Sequence, residues 1–158
     1  MANELPITST GEKKLKDELN QLIKVEREEI KLKISEAREL GDLKENAEYH
    51  SAKEKQALLE GRISQLQGIL AGSQVIDPKS IKSEKIVFGA TVTLVDVEKG
   101  NEVIYQIVGK DESNIAQGKI SFLSPLGKAL IGKEEGDTVL VRAPKGDIEY
   151  EVQKFEFK

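Results

Sequence analysis

The chain has no cysteine, no tryptophan and one histidine, and aromatic residues make up only 4% of its 158 positions. Each scarcity closes a class of chemistry. Without cysteine there are neither disulfides nor thiolate metal ligands. With His50 alone, multi-histidine metal clusters and a Cys/His nucleophilic pair are excluded as well. The apolar runs are too short for a membrane span, and Met1-Ala2-Asn3-Glu4 lacks the basic start and apolar core of a signal peptide, so a cytoplasmic protein is expected. An excess of one charge is also missing. The formal net charge of −4 divides evenly, with 14 acidic and 12 basic residues in each of the segments 1–76 and 77–158. Counterion release would need a face rich in Lys and Arg, so binding to free nucleic acid is expected to be weak or absent.

What the sequence does carry is helical periodicity. Thr8-Ser9-Thr10-Gly11-Glu12 opens the first element, with Ser9 and Glu12 spaced as a capping box, and the run continues without proline to Leu40. Leu15, Leu19, Leu22, Ile23, Ile30, Ile34, Ala37 and Leu40 form an apolar stripe that drifts and is interrupted at Glu26. Gly41, at ease with positive φ, is the expected stop. In the next helix Tyr49, Ala52, Gln56, Leu59, Ile63, Leu66 and Leu70 alternate steps of three and four, a heptad seam ending near Gly72. Two seams joined by a short turn predict an antiparallel coiled-coil hairpin, whose first arm would reach about 43 Å.

Beyond Asp77-Pro78-Lys79-Ser80 the period shortens to two. Strands are expected at Lys85–Phe88, Thr91–Val97, Glu102–Val108, Ile120–Leu123, Thr138–Arg142 and Ile148–Phe157. A short helix interrupts them, with Ser124 at its cap and Pro125 at its first position. The expected fold class is α+β in two domains. The hairpin occupies residues 1–76, a linker 77–82, and an antiparallel sheet domain with one short helix 83–158.

The chemistry concentrates at the turn, Gly41-Asp42-Leu43-Lys44-Glu45-Asn46. If the turn is helical there, Asp42 and Glu45 lie about 5–6 Å apart at their β-carbons, a spacing that suits a shared cation. Mg²⁺ takes oxygen ligands and is typically bound by one or two carboxylates together with groups from elsewhere. Asp42-Leu43-Lys44-Glu45 is equally a capping box for the second helix, and the two readings are compatible. Arg38, Lys44 and Lys53 are the basic residues nearest the acids, with Lys24, Arg27 and Lys31 further down the arm. A Glu-laced solvated face is the plain reading of all six, while Arg38 and Lys53 lie where a phosphate would need neutralising. An acidic pair on a hairpin tip cannot exclude water by itself, so the tip is expected to work inside a partner.

The run from Glu36 to Glu54, EARELGDLKENAEYHSAKE, resembles the signature of the bacterial transcript-cleavage factors, the Gre family. The similarity continues through Val75-Ile76-Asp77, Val87-Phe88-Gly89-Ala90-Thr91-Val92, and Ser124-Pro125 followed by Leu130-Ile131-Gly132-Lys133. The resemblance implies a coiled coil inserted through the secondary channel of bacterial RNA polymerase, and a C-terminal domain of FKBP-like fold docked at the channel entrance. It implies that Asp42 and Glu45 help hold the second catalytic Mg²⁺ jointly with the polymerase and orient the attacking water, so that the polymerase cleaves its own backtracked RNA. The factor itself would not be an enzyme. Arg38 and Lys53 would assist near the extruded RNA 3′ end, Lys53 standing where such factors often carry Arg. Ser124 and Pro125 match the docking loop. An inhibitory branch of the superfamily has an altered acidic tip, and this chain keeps the Gly-Asp-Leu-x-Glu-Asn pattern.

Two other classes of function compete with this one. A peptidyl-prolyl isomerase needs an aromatic-lined proline pocket, and the C-terminal half offers only Phe88, Tyr105, Phe122, Tyr150, Phe155 and Phe157, several in strand patterns that read as core. A passive coiled-coil adaptor would tolerate loss of the tip acids, whereas a cleavage factor would not.

Overall fold

A computed structural model describes residues 5–42, 45–144 and 146–158. Residues 1–4, 43, 44 and 145 lie outside the described residues, and with them the start of the chain, the interior of the Asp42–Glu45 box, Lys44 and the middle of the Pro144–Asp147 turn. The fold divides into two units: Glu12–Gly72, and the N-terminal segment through Gly11 together with Ser73–Lys158. Among the described residues no helix is long and apolar enough to cross a membrane.

The chain begins with strand β1 (Leu5–Thr8) and enters helix α1 (Ser9–Gln21), a π-helical turn (Leu22–Glu26) and helix α2 (Arg27–Arg38). Helix α3 (Ala47–Ala71) returns as the second arm. Cross-arm pairs show the antiparallel run: Arg62 with Glu18, Arg27 with Glu60, and Asn46 with Ala37.

The π turn explains the drift of the first stripe. Leu15, Leu22, Ile30, Ile34 and Ala37 are buried, and the step from Leu22 to Ile30 is eight where a heptad would give seven. A strict seven would have turned Glu29 into the seam. One residue inserted as a π turn moves Glu26 and Glu29 out to solvent and restores Ile30. Opposite them α3 buries Ala52, Ile63 and Leu66, on the regular spacing read from the sequence.

Two bidentate pairs bracket the π turn: Arg62 Nε and Nη2 donate to Glu18 at 2.7 and 2.9 Å, and Arg27 Nε and Nη2 to Glu60 at 2.9 and 2.7 Å. Hydrogen bonding from Arg62 holds the Glu18 carboxyl below its ordinary value despite some desolvation.

The other unit contains β2 (Ser73–Ile76), β3 (Thr91–Asp96), β4 (Glu102–Val108), β5 (Lys119–Ser121), helix α4 (Pro125–Leu130), β6 (Thr138–Ala143) and β7 (Gly146–Glu156). The order of the five-stranded sheet is β5-β4-β3-β7-β6. Ile86, Ala90, Val92, Leu94, Ile107, Ile120, Leu130, Val139 and Val152 form its core, with Tyr105, Phe122, Tyr150, Phe155 and Phe157 packed against them. This packing agrees with the reading of several of these aromatics as core.

Several expectations are corrected. The sheet is not wholly antiparallel, because β5 lies parallel to β4, reached by a crossover that includes a 3₁₀ turn at Ile115–Gln117. Lys85–Phe88 is not a strand: the backbone of Ile86 bonds instead to Lys133 O at 2.8 Å and Gly132 N at 2.7 Å in the loop after α4. The sheet unit also extends past the boundary placed at residue 77, since β1 pairs in parallel with β2, Leu5 opposite Ser73 and Thr8 opposite Ile76. The segment 77–82 holds a 3₁₀ turn with Pro78 buried.

The first helix is capped by Thr8 rather than by the Ser9–Glu12 box, Thr8 Oγ1 accepting from Gly11 N at 3.0 Å. Glu112 holds that cap in place. Its carboxylate accepts from the Thr8 hydroxyl, from Thr8 N at 3.0 Å and from Gly109 N at 2.7 Å.

Glu112→Ala leaves those donors in a half-buried site without their acceptor, and urea unfolding should show a loss of about 1–3 kcal/mol. Thr8→Ser keeps both the cap and the hydroxyl donor and should unfold close to wild type. A wild-type midpoint for Glu112→Ala would show that the knot contributes nothing. Acidification tests the second interaction. Because the folded pKa of Glu18 is depressed, its stabilisation is present above the ordinary carboxylate pKa and is lost as pH falls through the lowered one. With side chains 40% and 39% exposed, the pair is worth about 0.2–1 kcal/mol, and Glu18→Gln should remove that part of the acid dependence of melting.

Candidate functional site

The tip is built from two helix ends that stop for different reasons. Helix α2 ends at Arg38, and the chain turns through Gly41 at φ 120°, a conformation that L side chains rarely adopt. Helix α3 starts where Asn46 Oδ1 accepts from Tyr49 N at 3.0 Å. The cap is therefore Asn46, and the expectation that Asp42 caps this helix with Glu45 reaching back is corrected. Asp42 and Glu45 both lie outside the helices, so the 5–6 Å helical spacing does not apply to them either.

Both acids are exposed and line one shallow depression with Leu40, Asn46, Ala47 and Glu48. The structure thus brings the predicted pair together and adds Glu48, which sequence reasoning missed. Its position in the first turn of α3 was the available signal, since acids there complement the positive end of a helix. Among the described residues, no group of three or more His, Asp or Glu side chains could hold a metal ion. Carboxylate oxygens on an open rim are hard donors of the type Mg²⁺ takes when groups from elsewhere complete its coordination.

Arg38 and Lys53 are not among the described residues that line the depression. Arg38 lies with its guanidinium carbon 5.8 Å from the centre of the Tyr49 ring, and that ring meets His50 edge-on at 5.6 Å. Lys53, nearly two turns into α3, donates to Gln56 Oε1 at 3.1 Å. His50 is exposed on the helix surface.

The second predicted location lies in the sheet unit. Ser124 caps α4 with Oγ accepting from Gly127 N at 3.1 Å, and its hydroxyl donates to Ser121 O at 2.6 Å. Pro125 occupies the first helical position and is exposed, beside Leu123 at 44% exposure. A methyl group at Gly127 would stand 2.3 Å from Ser121 O, so the corner closes only on glycine.

A helical hairpin with paired acids at its turn and a sheet unit with an exposed proline corner define a two-module protein. Residues 5–75 match the family model "Transcription elongation factor, N-terminal", and residues 81–157 match "Transcription elongation factor, GreA/GreB, C-term". The chain belongs to the GreA/GreB family of transcription elongation factors. It is 53% identical over 156 residues to transcription elongation factor GreA of Alkalilimnicola ehrlichii, covering 98% of this chain and 99% of that protein. Against transcription elongation factor GreA of Thermodesulfovibrio yellowstonii the identity is 49% over the full length of both. The solved structure of GreA factor homolog 1 (Gfh1) from Thermus thermophilus aligns over 97% of this chain and 99% of that one at 29% identity, with a TM-score of 0.44.

At the corner, Gly127→Ala should destabilise the sheet unit more than Ser124→Ala, which loses a cap worth about 1 kcal/mol. Thermal melts of the two variants order them, and a Gly127→Ala protein that melts above Ser124→Ala would contradict the steric account.

Proposed function

We propose that this factor acts on bacterial RNA polymerase by passing its hairpin through the secondary channel, so that Asp42 and Glu45 complete a Mg²⁺ site in the polymerase active centre. The sheet unit, for which we propose an FKBP-like fold, docks at the channel entrance through Ser124 and Pro125. The outcome is cleavage of backtracked nascent RNA near its 3′ end and release of arrested complexes. The observation that carries this reading is the pair of exposed acids on one rim at the tip, with the helix cap supplied by a separate residue, Asn46.

A Mg²⁺ ion held there would activate a water for attack on the phosphodiester and neutralise developing charge. Asp42 and Glu45 provide hard anionic oxygens and orient that water. Arg38, steadied over Tyr49, offers a planar guanidinium to phosphate oxygens of the extruded RNA. Lys53 supplies charge without bidentate geometry. The polymerase supplies the remaining ligands and excludes bulk water, which an open rim cannot do.

The test is a stalled elongation complex with labelled transcript. Asp42→Asn removes charge with little change in shape and should lower stimulated cleavage on the order of 10²-fold at saturating factor. Competition for polymerase and the melting curve should stay at wild type, and the factor alone should not hydrolyse RNA. Full cleavage by Asp42→Asn would reject the metal role. A passive adaptor would show that same indifference to the acids.

A further inference from the structure

Helix α2 ends at Arg38 and α3 begins at Ala47, and the structure ties these two helix ends together. The amide of Asn46 faces both ways. Oδ1 accepts from Tyr49 N as the cap of α3, while Nδ2 donates to the carbonyl oxygen of Ala37 in the last turn of α2. Ala37 is buried and Asn46 half-buried, so the bond is partly screened from water. A second tie runs beside it, Arg38 over the ring of Tyr49, whose own body packs against Ile30, Ile34 and Ala52. Asp42 and Glu45 sit on the stretch of chain between these crossings.

The chemistry of the position is narrow. The side chain must accept on one side and donate on the other within a single planar group whose polar atoms lie three bonds from Cα. Asp accepts and cannot donate, Ser is too short to span the helices, and Gln caps poorly. Only the acceptor half is needed to start a helix. The donor half has no capping use, and its partner belongs to the opposite arm.

We infer that Asn46 is a positioning residue of the tip: by closing the neck of the turn onto Ala37 it fixes the separation at which Asp42 and Glu45 meet a shared divalent cation. This rests on the metal reading above. A pair of carboxylates on an untied turn would have to be ordered when the cation binds, and that ordering cost would weaken metal binding and misplace the attacking water. A tied neck removes the cost beforehand.

Asn46→Ser and Asn46→Asp both keep a capping oxygen and lose the donor, Ser without adding charge. Three measurements on the full-length variants separate positioning from folding: hydrogen exchange at the Tyr49 amide, competition for polymerase, and cleavage in stalled complexes as a function of Mg²⁺ concentration. The exchange protection and the affinity should match wild type. The cleavage rate at saturating factor should fall roughly tenfold or more, with the Mg²⁺ midpoint moved to higher concentration. Wild-type rate and midpoint in Asn46→Ser would overturn the inference, as would a loss of cleavage no larger than the loss of protection or affinity. Asp42→Asn is run alongside as the control. If it is inactive while Asn46→Ser is fully active, the neck has no role and the metal reading stands; if Asp42→Asn is itself fully active, the metal reading falls and takes the neck with it.

Discussion

The hairpin is held by a strip of side chains one residue wide on each arm, since each helix turns most of its circumference to water. Every fully buried Leu or Ile in that strip is worth about 1.5–3 kcal/mol, whereas an exposed ion pair contributes about 0.2–1 kcal/mol. Register along the strip therefore decides whether the arms stay together, and the irregularities serve it. The π turn spends one residue to bring Ile30 back to the partner helix, and bidentate pairs on either side of that turn resist sliding. Asn46 performs the same task at the far end, where the strip runs out.

The same logic shows why the sequence revealed one arm better than the other. Steps of three and four from Tyr49 to Leu70 continue unbroken, so the seam of α3 is visible by counting. In the first arm the interruption at Glu26 is visible but its cause is not, because a single inserted residue shifts the phase without leaving a motif. The strands β1 and β2 are four residues each and pair in parallel across the whole hairpin, so no local signal announces them. Ile86 is fully buried in a run whose residue types read as a strand, yet its partners are loop backbone atoms.

The candidate site was legible in its residues and not in its geometry. Asp42 and Asn46 are both capping types four positions apart, and only the observed start of α3 decides between them. Because a neutral amide does the capping, the cap of α3 does not rest on the acids. At the corner, the Ser124–Pro125 cap followed from spacing alone, whereas the bond from Ser124 Oγ to Ser121 O depends on where β5 ends.

The parallel ladder of β1 with β2 and the Glu112 knot make the hairpin an insertion within the sheet unit, entered and left through adjacent strands. On a ribosome the first strand emerges long before its partner, and Thr8 before Glu112 by 104 positions. The two arms, close in sequence around the turn, can zip as soon as α3 is made. Zipping draws Thr8 toward Ile76 and shortens the loop whose closure the ladder must meet. In a chain of this layout Thr8 waits for its ladder partner Ile76 and its acceptor Glu112 while the arms are free to pair.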